Sequence, residues 1–97
     1  MKRLALASAG LLLAAAPSVA QDADGRLLAL SCFNCHGPGG KSAGAIPSIA
    51  GKTELFLKTA MLDFRDGKRS ATVMSRLAKG YSESEIDALV KYIATLK

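Results

Sequence analysis

The chain has 97 residues with 13 basic and 8 acidic side chains, a formal net charge of +5 at pH 7. This modest, scattered positive balance suits docking to an acidic protein surface and argues against nucleic acid, because no Lys/Arg run exceeds two residues and aromatic residues do not interleave with the basic ones. The two cysteines lie three positions apart, so a disulfide between them closes almost no loop, which excludes a disulfide-stapled scaffold.

Residues 1–20 read as a secretory signal peptide. Lys2 and Arg3 precede an apolar run from Leu4 to Ala16, and Ser18 and Ala20 supply the small residues of a cleavage site. The run is shorter than the about 18 residues that a membrane span needs. Removal after Ala20 is therefore expected, leaving residues 21–97 as one exported, periplasmic domain that does not span a membrane. Without Lys2 and Arg3 the formal charge falls to +3. A domain this small rarely builds a sufficient core alone and usually adds disulfides, a metal or a cofactor.

Asp22 to Cys32 reads as a helix, with acidic residues at its start and good helix formers in Leu27, Leu28, Ala29 and Leu30. Gly37 to Gly51 reads as loop, with five glycines and Pro38 and Pro47. So long a connection in so small a domain points to a function. Thr53 to Phe64 reads as a second helix, Thr53 its N-cap, with Leu57, Met61 and Phe64 on one apolar face. Asp66-Gly67-Lys68 ends it, and a short loop-plus-helix piece from Ala71 to Ala78 stops at Gly80. The last helix carries a capping box, Ser82 with Glu85, and Tyr81 and Ile86 stand where a hydrophobic staple belongs. Ile86, Leu89, Val90 and Ile93 form its buried stripe. No segment reads as a strand, so the fold class is all-α, with three main helices, a short fourth and one glycine-rich loop.

The stretch from Ser31 to Ser42, SCFNCHGPGGKS, contains both cysteines and the only histidine. Gly40-Lys41-Ser42 matches the tail of a phosphate-binding loop, but Cys35 stands where that loop needs its first glycine, and no strand precedes it. A structural zinc site needs four Cys/His ligands, and this chain has three. A thioredoxin-like pair needs a βαβ setting, which is absent. What remains is Cys-x-x-Cys-His, the attachment pattern of c-type haem. On a helical turn, Cys32 and Cys35 face the same way, so both sulfurs reach the edge of a flat macrocycle and His36 follows directly. A covalently bound haem c also fills the core that so short a chain lacks.

With this motif, the order helix, CxxCH, long loop, helix, methionine segment, C-terminal helix resembles a class I c-type cytochrome over residues 22–97. More narrowly, Pro47-Ser48-Ile49-Ala50-Gly51 and SATVMSRLAKGYSESEIDALVKYIA are similar to the cytochrome subunits of flavocytochrome c sulfide dehydrogenases. The resemblance implies a cytochrome c-like fold wrapped around one haem. It implies His36 and Met74 as axial iron ligands, with Met61 left as core filler on its helix face. It implies the Pro47 carbonyl as the group that orients the His36 ring. Gly25 and Tyr92 match the pair where the first and last helices cross. Lys52, Arg65, Arg69 and Arg76 read as a solvated basic face, with haem propionates as the alternative; Tyr81 also lies within reach of that alternative. Lys41, Lys68 and Lys79 are either scattered surface charge or a ring around the haem edge.

The function implied is single-electron transfer rather than catalysis, since an iron ligated on both faces has no open position. Two settings follow. In one, the chain is the haem subunit that accepts electrons from a flavoprotein sulfide dehydrogenase. In the other, it is a free periplasmic carrier of the short c4, c5 or c553 type. An apolar docking patch beside the haem edge favours the first; a small contact ringed by charge favours the second.

Overall fold

The structure is a computed structural model and describes Gly10 and residues 23–97. The expected signal segment otherwise lies outside the described residues. The elements are α1 (Gly25–Leu30), α2 (Phe33–His36), α3 (Glu54–Arg65), α4 (Met74–Leu77) and α5 (Glu83–Ile93), with 3-10 turns at Pro38–Gly40 and Ala78–Gly80. The described residues contain no strand. None of their helices is long and apolar enough to cross a membrane.

The caps explain the boundaries. Helix α1 starts later than its composition suggests, because Asp24 is its N-cap and accepts the amides of Arg26 and Leu27. Thr53 Oγ1 takes the Phe56 N–H at 3.1 Å to open α3. At α5 the capping box closes both ways: Ser82 Oγ accepts the Glu85 N–H at 3.1 Å, and Glu85 Oε1 accepts the Ser82 N–H at 2.9 Å.

The core lies where α1 and α3 pack on α5. Ala29, Leu57, Ile86, Leu89, Val90 and Ile93 are buried in it, and Leu28, Cys32, Phe33, Met61, Leu62 and Tyr92 pack against it half-buried. The stripe read along α5 is thus the centre of the molecule. Gly25 lets α1 cross α5 closely: a Cβ added there runs into the Ala88 carbonyl oxygen and lies 3.1 Å from Tyr92 Cβ. Lys58 on α3 reaches Asp87 on α5 at 2.7 Å, a tie that sequence pattern did not reveal. Asp87 hydrogen-bonds the Lys58 ammonium and raises its pKa.

This core is small, and much apolar surface stays uncovered. Leu27 and Leu30 on α1, Ile46 in the long loop, Leu55 and Phe56 on α3, and Val73 and Leu77 around α4 are exposed, from 43% at Ile46 to 76% at Leu55.

Candidate haem site

The Cys-x-x-Cys-His stretch forms one helical turn. Cys32 is the N-cap of α2 with helical dihedrals, and its carbonyl accepts the His36 N–H at 2.9 Å. Cys32 and Cys35 are unpaired thiols, Cys32 half-buried against the core and Cys35 exposed. Burial pushes the Cys32 thiol pKa up, and a hydrogen bond with Ser31 partly offsets that. Gly37 ends the turn at φ +89°, and a Cβ there meets the Lys41 carbonyl, so only glycine fits without strain.

The long loop is more ordered than its composition suggests. It begins with the 3-10 turn Pro38–Gly40 and folds back on itself. The Gly40 carbonyl accepts the amides of Ile49 at 2.8 Å and Ala50 at 3.0 Å, which closes the base of the loop. Gly40 is buried there at φ +78°, with Ile49 Cγ1 3.0 Å from where a Cβ would stand. Higher up, the Ser42 amide donates to Ser48 Oγ at 2.8 Å.

The fold-back brings the Pro47 carbonyl oxygen to 2.6 Å from His36 Nδ1. A carbonyl only accepts, so a proton sits on Nδ1, and in the neutral ring Nε2 is the nitrogen with the lone pair. That is the state in which an imidazole can bind a metal. Met74 stands elsewhere, half-buried at the first position of α4, which packs on α3. Met61 lies against the central cluster.

These residues fit a c-type haem. Two free thiols share one turn with a histidine whose Nδ1 is engaged by Pro47, and so small a core leaves much apolar surface uncovered. When bound, the haem supplies a one-electron ferric–ferrous couple. The chain's part is to hold it by Cys32 and Cys35 and to shield it with apolar walls.

Several basic residues have local roles. Arg65 Nε donates to Asp66 at 3.0 Å, the Arg69 guanidinium lies 4.9 Å from the Phe64 ring centroid, and Lys52 Nζ lies 5.6 Å from that of Phe56. Arg69 also lines an open groove along α3 with Phe56, Ala60 and Asp63. Tyr81 packs against the core, in keeping with a staple, and its hydroxyl also lies 3.4 Å from Ser31 Oγ. Ser31 Oγ itself donates to the Leu28 carbonyl, so the tyrosine is the donor, tying the start of α5 to the turn before Cys32.

A cytochrome c family profile matches residues 23–97. The chain belongs to the cytochrome c family. It therefore carries haem c and transfers electrons, and is not itself a catalyst. It is 45% identical to the cytochrome subunit of sulfide dehydrogenase from Chlorobaculum tepidum, over 86% of this chain and 77% of that protein. It is 40% identical to the thiosulfate dehydrogenase electron acceptor of Thiomonas intermedia, over 97% of this chain but only 43% of that longer protein. Cytochrome c-553 of Helicobacter pylori is 37% identical, over 76% of this chain and 79% of its own length.

Proposed function

We propose that this cytochrome c is an exported haem subunit that accepts electrons one at a time from a flavoprotein sulfide dehydrogenase. His36 and Met74 ligate the iron from its two faces, and the Pro47 carbonyl holds the His36 ring. Residues 1–20 direct the chain to the periplasm and are removed, leaving a single domain from residue 21 to 97. The similarity to a sulfide dehydrogenase cytochrome subunit supports the choice of donor.

The observation that carries the subunit reading is the surface beside Cys35. An open groove of about 510 Å³ lies there, bordered by Phe33, Cys35, Pro38, Ala43, Ala45 and Ile46 among others, and no lining residue is charged. A contact meant to form and break through long-range attraction needs charge around it. A lasting one needs apolar surface. The likeness in size to cytochrome c-553 keeps a free carrier as the competing reading.

Native purification of the periplasmic fraction at high salt separates the two. The subunit reading expects flavin absorbance to co-elute with the haem. A haem protein that elutes alone, and whose binding to any partner salt abolishes, establishes the free carrier instead.

A further inference from the structure

The Pro47 carbonyl orients His36, yet little holds the Pro47 carbonyl itself. Proline has no N–H to donate, and Ile46, Pro47 and Ser48 are all exposed, so packing does not fix them. Among the described residues, the hydrogen bonds made by residues 45–48 are two: Pro47 O with His36 Nδ1, and Ser48 Oγ with the Ser42 amide at 2.8 Å. The second bears directly on the first. The Pro47 carbonyl and the Ser48 Cα belong to one rigid peptide plane. Ser48 Oγ is two bonds from that Cα, so fixing the hydroxyl against Ser42 limits how far the plane swings. Ser42 is itself steadied, since its Oγ takes the Gly44 N–H at 3.2 Å.

We infer that Ser48 is a positioning residue for the haem iron's histidine: its hydroxyl locks the peptide whose carbonyl accepts the His36 Nδ1 proton, and so tunes the reduction potential. This rests on His36 as axial ligand. A firm bond from Nδ1–H raises the basicity of the ligating nitrogen and favours the ferric state. Loosening it lowers that basicity and lets the ring turn. The potential then shifts positive.

The test compares Ser48→Ala, Ser48→Thr and Ser48→Val in the haem-loaded protein. The reduction potential is measured by titration, and the orientation of the ligating ring by the haem methyl shifts in proton NMR of the ferric state. Ala and Val should raise the potential and redistribute the methyl shifts, and Thr, which keeps the hydroxyl, should stay near wild type. Thr and Val have nearly the same shape, so their difference isolates the hydroxyl even if the Ala variant does not fold. Ala or Val with wild-type potential and methyl shifts overturns the inference, as does Thr shifting as far as Val. His36→Ala separates this from the ligand assignment: a variant that keeps the wild-type low-spin spectrum shows that His36 is not the ligand, and both ideas then fall.

Discussion

His36 Nδ1 and the Pro47 carbonyl oxygen, 11 residues apart in sequence, stand 2.6 Å from each other. That contact converts a glycine-rich loop into a bracket for one imidazole ring. The fixed φ of proline limits the unfolded loop as well as the folded one. Pro47→Ala keeps the carbonyl but gives the chain more freedom before folding. We expect it to retain haem while losing about 0.4–1 kcal/mol of stability, read from urea unfolding followed by the haem absorbance.

The cysteines test the dependence of the fold on its cofactor. Six buried apolar residues form the central cluster, one on α1, one on α3 and four on α5, and among the described residues no disulfide or cluster of metal-ligating side chains supplements them. Replacing both Cys32 and Cys35 by Ala should yield a colourless chain that is largely unfolded by far-ultraviolet circular dichroism. A folded, cooperatively melting product would mean that the protein core suffices alone.

The α1–α5 crossing depends on the absence of a side chain at Gly25. A Cβ there overlaps the Ala88 carbonyl, which is backbone and cannot swing aside. Gly25→Val should cost at least about 1–3 kcal/mol in denaturant unfolding, the range for overpacking a close contact. A midpoint equal to wild type would show that the helices separate freely.

Alkaline pH tests the tie between α3 and α5. Asp87 raises the Lys58 pKa above its ordinary 10.5. A raised folded value means that the pair stabilises the protein fully below the unfolded lysine pKa and loses that effect as pH rises through the folded one. Lys58→Met should therefore lower the urea midpoint at neutral pH, and this gap should close above the lysine range. Both groups are solvent-accessible, so the effect is small. A gap that stays constant with pH assigns it to lost packing of the lysine stem.

Much of this was legible in the sequence because local chemistry decides it. The Ser82–Glu85 box, the Thr53 cap and the α5 stripe are set by spacing alone, and each stands where spacing puts it. The Cys32-to-His36 turn was equally plain. Composition puts the start of α1 too early because Asp22 and Asp24 both look like helix-opening residues, and only the hydrogen bonds select Asp24. The interior of the long loop was opaque for another reason. The Gly40 carbonyl with Ile49 and Ala50, and Ser42 with Ser48, are pairings between residues whose types carry no periodic signal. Lys58–Asp87 and Ser31–Tyr81 join separate elements, so no window of sequence contains both partners of either pair.

The proposed electron carrier has an iron closed on both faces, by His36 and by Met74. Met61 packs against the core cluster, whereas Met74 opens the helix beside α3. The direct measurement is the red-end absorption of the ferric protein, where sulfur-to-iron ligation gives a weak charge-transfer band, compared across wild type, Met74→Ala and Met61→Ala. The band should be present in wild type, survive in Met61→Ala and vanish in Met74→Ala, whose ferrous form gains the ability to bind carbon monoxide. A band that vanishes in Met61→Ala and persists in Met74→Ala contradicts it.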